Sequence, residues 1–475
     1  MMEEASVSVR LNPFKGLAGP EGTPVPWSPY GRILSSRPNF TLDPLWHAGC
    51  YYVQDSSAMF VGYAFRQVLA DCSPLRGSQP PETSRCARPH RCASLAVPPL
   101  TMPRVARFPE AAAASTSAQS ENAASECLER SEVRISGPAG PGTLAETKSE
   151  RGLRPQGVAG GRAPVTGRDP RPVRVLDLCA APGGKTTDLA ASLREACGSG
   201  FVLVANEVMK ARVGVLDDNV ARWGDPCVVV TNADPAAFAR MEGWFDIIVA
   251  DVPCSGEGMF RKDPRAREEW SPAVVDLCAA RQRRILADVW PALREGGYLL
   301  YSTCTYEAAE NDDNLAWAAE ELGGEILSPE DIFTGYGVRR TPHGHLLEAG
   351  VVPGEGQWAG VLRKTAPQRT AARADLTTLH PLRQGLRKGE AKGKDFLPDP
   401  DYALSIEFDS KEYPAADVDL QTALRFLHRD ALVLPQAAPG YNVITYLGHP
   451  LGFVKNIGAR CNNLLPKARR ILMDI

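Results

Sequence analysis

The sequence predicts an α/β fold in which a parallel sheet is covered by helices on both faces. Two observations lead to this fold class: long continuous apolar runs, and helical patterns between them. Apolar runs without alternating polar residues are typical of strands that are buried on both faces. The runs are VRVLDLC, FVLVANE, CVVVTNAD, FDIIVADVPC and GYLLYSTCT, all between residues 173 and 305.

The segments between these runs have the apolar spacing of helices, as in TTDLAASLREA, KARVGVLDDNVARW and VVDLCAARQRRILADVW. A late run, QWAGVLRK at 357–364, is expected to add an antiparallel strand at the end of the sheet. We therefore divide the chain into five parts: an N-terminal segment (1–70), an insertion (71–171), a sheet domain (172–364), a charged linker (365–395) and a small α+β C-terminal module (396–475).

Composition limits the function classes. The 475 residues carry a net charge of −3, so a surface that binds nucleic acid must be local. The insertion is rich in Ala, Pro, Ser, Gly and Arg and nearly lacks aromatics, which predicts disorder and a segment that catalysis does not need. The chain shows no signal-peptide pattern and no membrane-spanning run, so we expect a cytoplasmic protein without a membrane partner.

The chain has 12 cysteines but no paired C-x₂-C signature, which indicates free thiols in a reducing compartment. The tract RCARPHRC contains Cys86, His90 and Cys92, yet no second pair of ligands follows it. We therefore expect no metal site.

The segment DLCAAPGGKTT (177–187) follows the first run and opens a helix, where Gly183 and Gly184 allow close approach of a ligand to backbone amides. It matches neither the dinucleotide fingerprint nor the complete P-loop. Glu207 and Asp234 end the next two runs, where they could hold a ribose diol and an adenine amino group. One such acid is more often a helix cap. Three sites in register predict a nucleoside cofactor, and S-adenosylmethionine, which lacks a pyrophosphate, fits.

Two further runs end in cysteines, Cys254 in DVPCSG and Cys304 in YSTCTY. A lone cysteine at a strand end is usually buried packing. In the commonest methyltransferase strand order these two strands are neighbours about 4.8 Å apart, so both thiols could face one substrate atom. Carbon 5 of cytosine needs such help: a thiolate that adds to C6 makes C5 nucleophilic toward a methyl donor. Asp251, three residues before Cys254, could hold N3 and the exocyclic amine.

The motifs DLCAAPGGKT, DVPCSGEGMFRKDP, YSTCTYEAAEND and HAGCYYVQDSSAM together resemble the Nol/Nop/Sun family of RNA cytosine-C5 methyltransferases, most closely its RsmF branch, which acts on 16S rRNA. The resemblance implies that Cys304 is the nucleophile, that Cys254 assists product release, and that Asp251 contacts both the target base and the cofactor. It implies cofactor contacts from Cys179, Ala180, Ala181, Pro182, Gly183, Gly184, Lys185, Glu207, Asp234 and Asp251.

The same resemblance implies a Rossmann-like class I methyltransferase domain with a seven-stranded sheet, an N-terminal RNA-binding segment and a PUA-like C-terminal RNA-binding domain. The implied partner is ribosomal RNA, within the small ribosomal subunit or free, and the expected state is a monomer. Basic residues expected near RNA are Arg10, Lys15, Arg32, Arg261, Lys262, Arg265, Arg267, Lys455, Arg460, Lys467, Arg469 and Arg470. The chain begins almost at RLNPFKG, where relatives carry an additional helical stretch, so RNA docking is weaker there unless the start is misassigned.

Other functions stay open at this point. Transfer RNA could replace ribosomal RNA as the substrate, because specificity lies in RNA shape and in the appended domains. A DNA cytosine-C5 methyltransferase would attack with Cys254 instead, but it would carry an E-N-V tripeptide that this chain lacks. A non-catalytic RNA-binding subunit would not need both cysteines together with Asp251, Glu207 and Asp234.

Overall fold

The computed structural model describes residues 6–72, 171–261, 264–367, 376–393 and 395–475. The predicted disorder and dispensability of the insertion fall almost entirely outside the described residues. Only the ends of that range are described, and both are ordered. Asp71 is the last residue of a helix, and Arg171 forms an ion pair with Asp246 at 2.9 Å.

The N-terminal part is a small antiparallel sheet followed by a helix that packs on the next domain. Its strands, in the spatial order β2-β3-β1-β4, are β1 Val7–Leu11, β2 Thr23–Pro24, β3 Gly31–Leu34 and β4 Tyr51–Val53. The helices are α1 Pro44–His47 and α2 Phe60–Asp71. Val61 and Phe65 of α2 are completely buried in the core of the central domain.

The central domain has the predicted parallel sheet. Its strands are β5 Val173–Asp177, β6 Phe201–Asn206, β7 Val228–Thr231, β8 Phe245–Asp251, β9 Leu293–Thr303, β10 Gly324–Ile326, β11 Arg339–Arg340, β12 Gly344–Glu348 and β13 Gly356–Lys364. Its helices are α3 Gly184–Cys197, α4 Lys210–Trp223, α5 Pro264–Glu269, α6 Pro272–Val289 and α7 Asp312–Leu322. The spatial order is β7-β6-β5-β8-β9-β13-β12-β11, with β10 also paired to β13.

The first five strands of this domain are parallel, and the predicted final strand, β13, runs antiparallel to β9. Seven strands, β5 to β10 and β13, form the predicted sheet. The β11–β12 hairpin adds two more, because β12 continues the pairing along β13 from Gly344 to Glu348. The β8 and β9 strands are therefore neighbours, as the commonest strand order predicts.

Successive residues of the parallel strands belong to opposite cores, because side chains alternate across a sheet. Val175 and Ile247 pack with α2, α3 and α4 on one face. Leu176 and Ile248 pack with α6 and α7 on the other face. Both faces are covered, which explains why these strands appear in the sequence as unbroken apolar runs.

The α6 helix shows how local sequence sets an element of this layer. Ser271 accepts a hydrogen bond from the Val274 N–H at 3.3 Å, and Pro272 occupies the first helical position, both typical helix starts. Its buried side chains recur every three or four residues, from Val275 to Val289. Its exposed positions are mixed, with Arg281 and Arg284 beside Leu277. None of the described helices combines the length and apolar character needed to span a membrane.

The C-terminal module contains β14 Gly389–Lys392, β15 Asp395–Pro398, β16 Ala415–Asp417, β17 Gly440–Tyr446, β18 His449–Asn456, β19 Cys461–Asn463 and the helix α8 Leu420–His428. The last four strands form one mixed sheet in chain order. One face of this sheet, with Val443 and Phe453, packs on Tyr402 within the same module, and its other face packs on the N-terminal sheet. Val9 and Tyr51 of the N-terminal sheet share one buried cluster with Phe426 and Ile444. The two predicted RNA-binding parts are thus packed against each other.

The predicted linker is held against the central domain in its described part. Leu382 donates a backbone hydrogen bond to Val230 at the β7 edge. Arg383 contacts Asp217 on α4 at 2.6 Å and Asp401 at 2.8 Å. Arg469 joins the same network through Asp401 and Asp218, and only 8% of its side chain is exposed. The expectation that Arg469 contributes to an RNA-binding face is therefore wrong.

Arg10 and Lys15 were also expected near RNA, and the structure contradicts this as well. The Arg10 side chain is completely buried, and it donates to Gln54 at 2.8 Å, to the Gly184 carbonyl at 3.0 Å and to Thr187 at 2.5 Å. Lys15 caps the end of α4 by donating to the Arg222 carbonyl at 2.6 Å. Burial lowers the pKa of Lys15 to about 8. Both residues join the N-terminal segment to the central domain.

We expect Arg10→Met to destabilise the protein, because it leaves the buried side-chain oxygen of Gln54 without its donor and leaves Arg66, at 3.3 Å, as the remaining ion-pair partner of the buried Asp188 carboxylate. A buried acceptor that loses its donor costs about 1–3 kcal/mol. Thermal unfolding of the full chain, followed by circular dichroism, should show a melting temperature several degrees below that of the wild type.

Arg387→Met is the matched control. Its side chain is 76% exposed and lies 3.8 Å from Asp399, an exposed pair that is worth about 0–1 kcal/mol. Equal melting temperatures for the two variants would show that Arg10 does not stabilise the contact between the N-terminal sheet and α3.

Candidate active site

The two cysteines lie side by side where β8 and β9 end. These strands pair in parallel with Asp251 opposite Ser302, so the loops that follow leave the sheet together. The Sγ atoms of Cys254 and Cys304 are 3.0 Å apart, and the Cys304 N–H donates to the Cys254 sulfur at 3.3 Å. Both are free cysteines. The structure thus brings together the thiols of Cys254 and Cys304, which the sequence analysis singled out.

The two thiols are chemically similar but differ in their surroundings. The hydrogen bond to Cys304, together with burial, raises the pKa of Cys254 well above that of an ordinary thiol. The same hydrogen bond lowers the pKa of Cys304 against the effects of burial and of the Asp251 carboxylate, and the nearby Lys185 ammonium also lowers it. The directions of the two shifts favour the proton on Cys254 and the negative charge on Cys304.

Asp251 is fixed from three directions. Lys185 from the first turn of α3 lies 2.8 Å from one carboxylate oxygen. Ser302 donates to the other oxygen at 2.7 Å, and Gln357 of β13 donates to it at 3.0 Å. Burial works against the charge on Lys185, but the carboxylate outweighs it and raises the pKa of Lys185. Cation and carboxylate are therefore both charged beside Cys304.

The segment from Cys179 to Lys185 forms a tight loop between β5 and α3. Gly183 has φ 108°, in the left-handed region that favours glycine. A Cβ on Gly184 would stand 3.3 Å from the Tyr52 ring, so the loop passes close to β4. Burial raises the pKa of Cys179 above the ordinary range, which makes this thiol inert.

Neighbouring elements tie down the carbonyls of this loop. Arg212 of α4 donates to the Ala181 carbonyl at 2.7 Å, and Asn219 donates to the Pro182 carbonyl at 2.8 Å. Ala180 donates its N–H to Asn206 at the end of β6. The loop is rigid before any ligand arrives.

Glu207 has the features of a ligand-binding acid. Its side chain is buried, and one oxygen accepts from the Met209 N–H at 2.9 Å. Arg212 lies 3.5 Å from the other oxygen, which accepts no hydrogen bond from the described residues. A buried carboxylate oxygen without a donor is costly, and a ribose diol offers the missing O–H. Val208 and Met209 beside it are exposed apolar side chains, suited to the face of a base.

Asp234 stands apart from this pattern. Its side chain is exposed and accepts from the Ala236 N–H at 3.0 Å, so it caps the short helix Pro235–Arg240. This is the ordinary role of an acid at a helix start. Its predicted contact with adenine remains a prediction.

Sequence reasoning did not identify Asp177 or Glu310. One Asp177 oxygen accepts from Thr186 at 2.6 Å, the other is buried without a donor, and burial raises the pKa of Asp177 to about 7. Glu310 lies behind the thiols and is completely buried. Both acids stand within the quoted motifs, but an acid among turn residues is usually solvated, and nothing in the pattern indicates burial.

The basic residues expected near RNA after Cys254 are only partly suited to that role. Arg261 is bound to Glu355 at 2.8 Å and to the Gly354 carbonyl at 2.8 Å. Lys262 lies outside the described residues. Arg265 and Arg267 of α5 are exposed, and Arg267 stands over the Phe260 ring at 5.5 Å.

Three family models match the chain. That of the 16S rRNA methyltransferase RsmB/F matches residues 169–332. That of the N-terminal domain of 16S rRNA methyltransferase RsmF matches residues 1–56, and that of the methyltransferase RsmF PUA domain matches residues 413–471. The three matches cover the central sheet from β5 to β10, the N-terminal sheet and the sheet β16–β19, in that order.

Two proteins with similar sequences are both named ribosomal RNA small subunit methyltransferase F. The ribosomal RNA small subunit methyltransferase F of Enterobacter sp. (strain 638) is 31% identical over 366 residues, which cover 64% of this chain and 75% of the relative. The protein of that name from Cronobacter sakazakii is 42% identical over 199 residues, 41% of each chain. Among solved structures, a methyltransferase homolog protein from Pyrococcus horikoshii is 20% identical with a TM-score of 0.45, covering 76% of this chain and 87% of that one.

The catalytic domain, the appended N- and C-terminal domains and the long alignment with relatives agree with one another. The predicted family is confirmed, and with it the enzyme class. The chain is a methyltransferase that belongs to the RsmF family of 16S rRNA methyltransferases.

Proposed function

We propose that this enzyme methylates carbon 5 of a cytosine in 16S rRNA through a covalent bond between the Cys304 sulfur and carbon 6 of the base. One observation above all supports the proposal: the thiol of Cys254 stands 3.0 Å from the sulfur of Cys304, and the surroundings favour the thiolate on Cys304. A thiolate is the reactive form of a cysteine nucleophile.

The reaction proceeds in balanced steps. The Cys304 thiolate adds to C6, and the electron pair of the C5=C6 bond makes C5 nucleophilic. S-Adenosylmethionine, when bound, would supply the electrophilic methyl group: C5 would take the methyl, the bond between that methyl and the sulfonium would break, and S-adenosylhomocysteine would be left. A base then removes the C5 proton, the C5=C6 bond forms again, and Cys304 leaves as a thiolate. The target cytosine must be unstacked for C6 to reach Cys304.

Lys185 stabilises the negative charge that develops on the base when the thiolate adds to C6, and Asp251 orients the base. The Asp251 carboxylate accepts from the exocyclic amine, and its contacts with Lys185, Ser302 and Gln357 hold it in place. Groups that are positioned before the reaction need no rearrangement in the transition state. The Lys185 charge also stabilises the Cys304 thiolate, both before addition and after release.

Cys254 assists release. Its thiol donates a hydrogen bond toward the Cys304 sulfur, so it stabilises the thiolate that forms as the carbon–sulfur bond breaks. The alternative chemistry, in which Cys254 attacks as in DNA cytosine-C5 methyltransferases, would need the thiolate on the sulfur whose pKa is raised. The surroundings of the two thiols favour Cys304.

We further propose that S-adenosylmethionine lies against the loop Cys179–Lys185, with its ribose on Glu207 and its adenine between Asp234 and the exposed side chains of Val208 and Met209. The unsatisfied oxygen of Glu207 supports this placement. The RNA substrate places the enzyme where small ribosomal subunits are made, in the cytoplasm, and we propose that it acts there as a monomer.

Replacement of the two cysteines by alanine distinguishes their roles. We expect Cys254→Ala to accumulate a protein–RNA adduct on denaturing gels after incubation with S-adenosylmethionine and 16S rRNA, because its release step is slow. We expect Cys304→Ala to form no adduct and to lose methylation at least a thousandfold, since the nucleophile is gone. Base analysis for 5-methylcytosine measures the product.

Cys461→Ala, in the C-terminal sheet, is the matched control and should behave like the wild type. An adduct in Cys304→Ala but not in Cys254→Ala would assign the nucleophile to Cys254 and contradict the proposal. The absence of 5-methylcytosine from wild-type reactions on 16S rRNA would contradict the proposed substrate.

Glu207→Gln tests the cofactor site separately from the chemistry. Loss of the negative charge weakens the hydrogen bonds to a ribose diol, each worth about 1.5–3 kcal/mol to a charged group. We expect S-adenosylmethionine to bind about 10- to 100-fold more weakly in calorimetric titrations without RNA.

The exposed residue Glu321 on α7 provides the control, and Glu321→Gln should bind the cofactor like the wild type. Equal affinity of Glu207→Gln and wild type would remove Glu207 from the proposed site.

A further inference from the structure

We propose that Glu310 is a positioning residue that directs the proton between the two cysteines, so that Cys254 stays a thiol and Cys304 carries the thiolate. The inference rests on the proposed function, in which Cys304 attacks the base. Glu310 does not touch the substrate in this proposal. It acts through Cys254.

Glu310 holds the Cys254 loop from behind. Its two carboxylate oxygens accept from the backbone N–H of Ser255 at 3.3 and 3.1 Å. Gln282 of α6 donates to Glu310 at 2.7 Å and to the Pro253 carbonyl at 2.9 Å. The residues on both sides of Cys254 are therefore bound to one acid and its partner, and the cysteine between them has a fixed backbone.

The other side of Glu310 is tied to the strand that ends at Cys304. The Tyr301 hydroxyl on β9 donates to the Glu310 carbonyl at 2.5 Å. Asn314 of α7 donates to Gln282 at 2.8 Å. Glu310 thus lies in a buried network that includes β9, α6, α7 and the Cys254 loop. Any movement of one cysteine relative to the other would disturb it.

The carboxyl group of Glu310 is ionised in this network. Burial raises its pKa, but both oxygens face N–H donors, and a protonated carboxyl would direct an O–H at one of them. No basic side chain of the described residues forms an ion pair with it. An unpaired buried charge costs stability. The fold therefore keeps a negative charge here at a cost.

That charge lies next to Cys254, because it binds the backbone N–H of Ser255, and it contributes to the raised pKa of Cys254. Beside Cys304 the Asp251 carboxylate raises the pKa of the thiol and the Lys185 ammonium lowers it, and these two groups form an ion pair at 2.8 Å. Cys304 thus faces a neutralised pair, whereas Cys254 lies beside a carboxylate without an ion-pair partner among the described residues. The other titratable groups around the pair and around Glu310 are Asp251, Glu257, Cys278, Arg281, Arg283 and Tyr301.

Two adjacent thiols need a nearby charge that decides which sulfur keeps the proton. A hydrogen-bonded thiol–thiolate pair can place its proton on either sulfur, and a thiolate on Cys254 would leave Cys304 protonated and unreactive. The negative charge of Glu310 disfavours a second negative charge on Cys254. Removal of that charge should therefore lower the pKa of Cys254 and divide the thiolate between the two sulfurs.

Alkylation of the intact protein tests this directly. Limiting iodoacetamide reacts with thiolates, and peptide mass spectrometry reports the labelling of each cysteine from pH 6 to pH 10. In the wild type, Cys304 should be labelled far faster than Cys254 near neutral pH. In Glu310→Gln, Cys254 labelling should begin about one pH unit lower, and the Cys304-to-Cys254 ratio should fall about tenfold.

Glu257→Gln is the matched control. Its half-buried carboxylate accepts from the Thr305 hydroxyl at 2.9 Å and from the Tyr306 N–H at 2.7 Å, so it also joins the two loops. It does not appear among the main influences on either thiol, and its substitution should keep the wild-type ratio. The buried residues Cys278 and Cys461 report folding, because they become labelled only if the protein opens.

The proposal is overturned if the wild type labels both cysteines equally, or if folded Glu310→Gln keeps the wild-type ratio and pH profile even when methylation falls. If Glu310→Gln does not fold, Glu310→Asp replaces it, because the shorter side chain moves the charge away from Cys254 by one methylene. The Cys304-to-Cys254 labelling ratio must then be lower than in the wild type. A wild-type ratio in that variant overturns the proposal. The labelling needs neither RNA nor cofactor, so its outcome is separate from that of the adduct experiment.

Discussion

The register between β8 and β9 is the constraint on which the catalytic edge depends. With Asp251 opposite Ser302, the chain leaves both strands at the same level, and Cys254 and Cys304 follow within three residues of that pair. A shift of one residue would turn every side chain of a strand to the other face. The two buried cores on either side of the sheet prevent that shift, so packing far from the site determines the distance between the thiols.

Hydrogen bonds from buried polar groups hold the loops that follow the strands in fixed positions. Arg10 joins the N-terminal sheet to Gly184 and Thr187 at the start of α3, and Arg212 joins α4 to the loop carbonyl of Ala181. A buried donor that loses its acceptor is costly, so each of these contacts restricts movement. The N-terminal segment therefore supports the cofactor loop rather than extending away from it.

Much of this could be predicted from the sequence, because strand burial, loop glycines and the residues at strand ends are local features. The meeting of Cys254 with Cys304 follows from them once the commonest methyltransferase strand order is assumed, and the sheet has β8 beside β9 as that order requires. The burial of Arg10 could not be predicted, because a basic residue on a short strand is usually exposed. Nor could the shared core of Val9 and Phe426, since no local pattern records which distant segments pack together.

The same limit applies to the chemistry of the thiols. In the sequence both cysteines follow an apolar run, and nothing in their immediate neighbourhoods decides which of them ionises. The decision comes from groups that the fold places around them, Lys185 from α3 and Glu310 from the turn before α7. Two side chains of one chemical type acquire different surroundings, because Cys304 faces the Lys185–Asp251 ion pair and Cys254 lies beside the buried Glu310. In the proposed function, these surroundings distinguish the nucleophile from its assistant.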